Sequence, residues 1–341
     1  MAGAESTHTV AKPKGERAQG AVAAWLMARF ERERRGVWIL IALILAYMAW
    51  ANPNFYGRGN IAAVLNDAAI LGIGAAGMTI LIMAGAFDLS VTAIMGLAPL
   101  VALIYFGDMP GPVMVLVSIL AGALCGLVNG LIVTRGRVVP FVATLGTLFA
   151  FTSVAYIISN GTSVYVSNAF VMELAGGRLF DVIPYSFAIM LAVFLLCHLF
   201  LRHLHMGRWI RAAGSNLRAA HVSGIDLRRV YLLLFVISGV LTGLAGILLT
   251  GYLASAIATQ ATNYNLNAIA AVVVGGTALA GGRGTLLGTA AAALLFAMVN
   301  NALILLGVSS YYQYLATGII LILALVLGLI GFGGRLPIRD S

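Results

Sequence analysis

Two carboxylates have the most to do with any chemistry this chain performs. Asp88 interrupts the apolar stretch GMTILIMAGAFDLSVTAIMGLAPL, and Asp67 lies inside the apolar run before it. An ionisable side chain within hydrocarbon costs about 2.5–3.5 kcal/mol on insertion scales, so Asp67 must be paired, protonated or turned to a wet cavity. Asp88 is well placed to cap a following helix by accepting from the backbone N–H of Ser90 or Val91, where the helix dipole also favours negative charge. The alternative is that its hairpin forms a gate or a partner contact. Enzyme chemistry finds few other groups to run on. There is no HExxH, no GxSxG and no pair of intramembrane aspartates at helical spacing. His203, His205 and His221 lack zinc-ligand spacing, so no metal site is expected. Cys125 and Cys197 read as small buried hydrophobes. The glycine clusters of AIAAVVVGGTALAGGRGTLLGTAAAALL invite a phosphate-cradle reading. No Gly-Lys-Ser/Thr follows them, and both lysines of the chain lie in its N-terminal tail.

The elements that must position these groups are membrane helices. Of 341 residues, 61% are hydrophobic and 9% charged, against about 25% charged in soluble domains. Apolar runs of spanning length fall at 37–51, 61–84, 89–106, 113–133, 138–158, 185–201, 230–253, 266–280, 285–307 and 311–332. The runs at 37–51 and 266–280 are short, and could be tilted or re-entrant. The fold class is therefore an all-α polytopic membrane protein of about ten transmembrane helices. Residues 1–35 form a polar tail whose AVAAWLMARFERERR segment reads as a helix on the membrane surface; residues 36–333 are the transmembrane domain and 334–341 a short tail. With both termini placed in the cytoplasm, 18 of the 20 lysines and arginines fall inside, and only Arg58 and Arg178 outside. That asymmetry accounts for the net charge of +9 without nucleic acid.

Four segments break the apolar pattern. The loop 159–184 would be external. The hairpins around Gly85, Asp88 and Ser90 and around Gly281, Gly282, Arg283 and Gly284 would be tight cytoplasmic turns. The loop 202–229 is longer than a connector needs. It holds a short helical pattern at Asn216–Val222 between Gly214 and Gly224, with Ser215 or Asn216 as its cap. It reads either as a solvated loop or as a helix that a partner grips, with Ala219, Ala220 and Ser223 allowing close approach. Polar residues inside the spans (Asn66, Asp67, Asn129, Thr144, Thr147, Asn300 and Asn301) are either interhelical hydrogen-bonding groups or the lining of a solute path.

Five stretches together resemble the permease subunits of ribose-type ABC sugar importers, within the branched-chain amino acid and sugar permease superfamily. They are PNFYGRGNIAAVLN, GMTILIMAGAFDLSV, RAAGSNLRAAHVSGIDLRRV, NAIAAVVVGGTALAGGRGTLLGT and NNALILLGVSSYYQ. The resemblance implies an ABC importer permease bundle in the bacterial inner membrane, not itself an enzyme and without a cofactor of its own. Its implied partners are a cytoplasmic ATPase that binds the ATP, a periplasmic sugar-binding protein, and a second permease copy or close paralogue. It also implies that Gly214–Ile225 is the segment the ATPase receives. A nucleoside or other small polar solute is an alternative cargo. An ion-coupled secondary transporter is the rival of a different class.

Overall fold

The computed structural model describes residues 36–309 and, beyond them, 311, 312, 315, 318, 319 and 322. The expected surface helix, both tails and most of the tenth span lie outside the described residues.

The helices follow the apolar runs. They are α1 (Gly36–Ala51), α2 (Arg58–Met83), α3 (Val91–Phe106), α4 (Gly111–Thr134), α5 (Pro140–Ser159), α6 (Ala169–Gly176), α7 (Tyr185–His203), α8 (His205–Ser215), α9 (Leu217–Val222), α10 (Leu227–Leu253), α11 (Tyr264–Val274) and α12 (Leu286–Leu305). Six of them (α2, α4, α5, α7, α10 and α12) are long and apolar enough to cross a membrane. The run expected to be helical over 266–280 is helical only to Val274. Gly275 and Gly276 end it, the latter at φ +87°. Eleven residues rise about 16 Å, too little to cross a hydrocarbon core of about 30 Å alone.

Helix α2 is the axis of the bundle, packed against α7, α10, α11 and α12. Every residue from Ala68 to Met83 is buried. Its small residues let neighbours approach: a Cβ on Gly77 would lie 3.0 Å from the Cα of Ser238 on α10. Lipid tails are as apolar as leucine, so membrane helices associate through such close packing rather than through hydrophobic burial. The same logic makes the α4–α10 seam. Gly122 and Gly126 face Gly239 and Phe235, and a Cβ on Gly122 or Gly239 would sit 2.3 or 2.2 Å from the other's carbonyl oxygen. Ser118 closes this seam by donating to the Gly243 carbonyl at 2.9 Å. The outward faces stay apolar, as with Leu116, Leu120 and Leu124 on α4.

The segment between α5 and α7 is ordered by short elements. Strand β1 (Val164–Tyr165) pairs with β4 (Ser255–Ala256), and β2 (Arg178–Leu179) with β3 (Ile183–Pro184), both antiparallel. Asn168 caps α6 by accepting from Phe170 and Val171 N–H.

Candidate functional site

One end of the bundle carries the basic loops and both glycine hairpins. There α7 runs into α8 through a single extended residue, Leu204, and α8 into α9 through Asn216. Helix α8 is amphipathic: Gly207, Ile210 and Ala213 are buried while Arg208 and Arg211 are exposed. Asn216, not Ser215, caps α9, accepting from Ala219 N–H at 3.0 Å. The Ser215 hydroxyl instead donates back to the Arg211 carbonyl. Gly224 closes the segment at φ +80°, where its N–H donates to the His221 carbonyl. Ile225 packs half-buried against the main core.

Of the small residues expected to face a partner, Ala219 and Ser223 are exposed, but Ala220 is turned inward at 3% exposure. Of the six residues of α9 only Ala220 is buried; the other five are exposed. Leu217 and Val222, about 140° apart around the helix, are both exposed, Val222 at 86%. Leu217 and Val222 are thus exposed aliphatic side chains in a basic segment.

The two hairpins meet under this segment. The Gly282 N–H donates to the Met83 carbonyl at 2.9 Å, joining the end of α2 to the turn before α12. Gly85, Gly281 and Gly282 all adopt positive φ (+81°, +84° and +76°), which glycine alone reaches without steric cost. Gly214, in the last turn of α8, sits directly on this joint. A Cβ there would lie 2.0 Å from the Met83 oxygen and 2.3 Å from the Gly282 nitrogen. Three backbones thus touch with no side chain between them. Tyr231 on α10 steadies the joint by donating to the Ala84 carbonyl at 2.8 Å, and the Thr79 and Thr289 hydroxyls pair at 2.8 Å between α2 and α12. Arg283 projects outward, while a Cβ on Gly284 would meet Met83 and Thr277 side chains. Sequence reasoning missed Tyr231 and the Thr79–Thr289 pair. Nothing local marks them, because each partner is on a distant helix.

Asp88 does bond the Ser90 N–H, at 2.9 Å, but it is no surface cap. It is fully buried and reaches into the bundle. The Ser90 hydroxyl donates to the same Oδ1 at 2.6 Å, Asn129 Nδ2 donates to Ser90 Oγ at 2.7 Å, and Thr147 donates to Asn129 Oδ1 at 2.6 Å. Ser238 approaches Oδ2 at 3.4 Å. One polar chain therefore pins α3, α4, α5 and α10. Ser238 lies eleven residues into α10, about 16 Å along the helix. Among the described residues no Lys, Arg or His pairs with the carboxylate.

The remaining polar candidates spread along the spans. Thr144 donates to the Pro140 carbonyl of its own helix. Asn66 is buried and accepts from Ser186, leaving its amide nitrogen without a partner. Asn301 makes a reciprocal amide pair with Asn60, at 2.7 and 2.9 Å, that locks α12 to α2. Asn300 is half-buried. Asp67 is half-buried on α2, sixteen residues or about 24 Å before Met83. It stands within electrostatic reach of Tyr252 and Tyr264. These tyrosines and Asp67 belong to the far end of the bundle, opposite the glycine joint.

Residues 60–325 match the family described as "Branched-chain amino acid transport system / permease component". The chain belongs to this family of membrane permeases. The match runs from α2 into the residues beyond α12 and includes both hairpins and the α8–α9 segment. Among the relatives of this permease is the ribose import permease protein RbsC of Escherichia coli (strain K12), 38% identical over 308 residues, 89% of this chain and 94% of that protein. RbsC of Bacillus subtilis (strain 168) is 36% identical, over 86% of this permease and 92% of its own length. The L-arabinose ABC transporter permease protein AraH of Azospirillum brasilense is 31% identical, over 86% and 90%. No solved structure matches the permease.

Proposed function

We propose that the chain is the transmembrane subunit of an ATP-driven importer for a sugar: a pentose, a hexose or a related polyol. A separate cytoplasmic ATPase grips α8–α9, a binding protein delivers the solute to the opposite face, and a second permease copy completes the path. The observation that carries this reading is the glycine joint. The α8–α9 segment, a basic segment with exposed aliphatic side chains, rests by backbone contact on both hairpins, which lead directly into α2, α3, α11 and α12. A displacement of α8–α9 has no soft side chain to absorb it and passes straight to those helices, as alternating access requires. The names of the relatives support a sugar as cargo. The far-end group around Asp67 is where a polar solute would first meet the spans.

The test places Val222→Asp in the permease co-expressed with its ATPase. A charge forced against an apolar contact is left unpaired. The variant should reach the membrane normally, yet retain the ATPase at least about tenfold less well, about 1.4 kcal/mol, and lose ATP-dependent uptake of labelled ribose or arabinose in vesicles. Uptake that survives ATP depletion and collapses with an ionophore would make the protein an ion-coupled carrier instead.

The orientation is proposed on the arginine distribution: basic end and both termini inside. An impermeant maleimide applied from outside should label Ser167→Cys, on the exposed 159–184 segment, and leave His221→Cys on α9 unlabelled. The reverse pattern overturns the orientation.

A further inference from the structure

Next to the glycine joint lies a cavity of about 350 Å³, between the end of α7, helix α8 and the start of α12. That volume falls within the range of about 300–1,000 Å³ common for small-ligand sites. Arg202, Arg211 and His198 line it on one side, and the first residues of α12 on the other. Both arginines and the histidine are exposed, so the cavity opens on the outer surface of the bundle. The Arg211 guanidinium makes one long bond, 3.4 Å to the Leu201 carbonyl. Among the described residues Arg202 and His198 have no hydrogen-bonding or ionic partner, and no carboxylate lines the cavity. Thr285 caps α12 by accepting from Gly288 N–H, but the N–H groups of Leu286 and Leu287, at the helix start, have no acceptor within the helix. Two arginines and the first residues of α12 therefore line one space from different elements, a combination suited to a phosphate group. The walls below are apolar: Met83, Leu201 and Leu286 are buried, and Leu287 is 61% exposed on the outer face.

We propose that this cavity binds a phosphate group, and that its source is the headgroup of an anionic membrane lipid whose acyl chains run down the exposed Leu287 side. A basic pocket at the junction of hydrocarbon and water is suited to such a headgroup. The ligand would also steady the joint, because Met83 and Gly284 belong to both structures. A phosphate held between α7–α8 and α12 ties together the elements that the Gly282–Met83 bond joins. The inference needs only that the chain is embedded in a membrane and does not depend on the cargo.

The experiment is native mass spectrometry of the purified permease with phosphatidylglycerol, phosphatidylethanolamine or inorganic phosphate added to the detergent. The wild type should retain phosphatidylglycerol at least tenfold better than phosphatidylethanolamine. The double variant Arg202→Gln/Arg211→Gln should lose that preference, and Arg202→Lys/Arg211→Lys should keep part of it, which separates lost charge from lost folding. Arg135→Gln/Arg137→Gln, at the same end but outside the cavity, should retain it in full. If this remote pair loses the lipid as completely as the cavity pair, the binding is a general effect of a basic surface and the site is refuted. Retention of inorganic phosphate without lipid preference would overturn the lipid as source. No retention of either would overturn the site.

Discussion

Gly214→Ala is expected to reach the membrane and to lose at least nine-tenths of its transport. The added methyl would stand 2.0 Å from the Met83 oxygen and 2.3 Å from the Gly282 nitrogen, where ordinary contact needs well over 3 Å. Both obstacles are backbone, so no rotamer change relieves them. They are also bonded to each other, so the methyl enters only if the two hairpins part and the Gly282–Met83 bond breaks. Overpacking of this kind costs about 1–3 kcal/mol, and a lost hydrogen bond about 0.5–1.5 kcal/mol more. The long apolar helices are untouched, so insertion should be normal while the melting temperature falls and solute transport drops at least tenfold. Gly146→Ala, on α5 with open space around its Cβ, is the control and should be neutral or slightly stabilising. A Gly214→Ala permease that melts and transports like the wild type would mean that the three backbones do not meet.

The second large effect belongs to Asp88. Asp88→Leu removes the acceptor of the Ser90 N–H and hydroxyl and of the Ser238 hydroxyl, all at sites closed to water. Each buried donor left unsatisfied costs about 1–3 kcal/mol. The loss should propagate, because Ser90 also accepts from Asn129, which holds Thr147. Asp88→Asn keeps the size and one acceptor oxygen and should lose much less. Asn129→Leu should destabilise on its own. Combined with Asp88→Leu, it should cost less than the sum of the two single changes, with a coupling of about 0.5–3 kcal/mol. Thermal unfolding of the purified variants in lipid measures all four. If Asp88→Leu proved as stable as Asp88→Asn, the carboxylate would hold nothing together.

Local features of this permease could be read directly from its residues. The helices from α1 to α12 that follow apolar runs start and stop close to where those runs do. Hydrocarbon thickness sets the run length, and within a helix every backbone group finds its partner nearby. The Asn216 cap, the turn at Gly224 and the Asp88–Ser90 bond are likewise contacts between near neighbours, so a few residues encode them. The short α11 was legible as a doubtful span, and Gly275–Gly276 stops it.

What lay beyond the sequence was which faces meet. A soluble helix announces its buried side by a polar opposite side, but the stretch of α2 from Ala68 to Met83 is enclosed by protein all round and α12 meets only protein and lipid, which are equally apolar, so neither shows a polar face. No periodicity could therefore show that Asp88 turns into the bundle toward Asn129 and Ser238, or that Asn301 pairs with Asn60. Nor could it turn Ala220 inward and Val222 outward, since α9 is too short to display a period. The meeting of Gly214 with Met83 and Gly282 is the clearest case. Each glycine alone is compatible with an ordinary tight turn, and only the packing of α2, α8 and α12 brings three backbones from distant parts of the chain into one contact that a single methyl group would prevent.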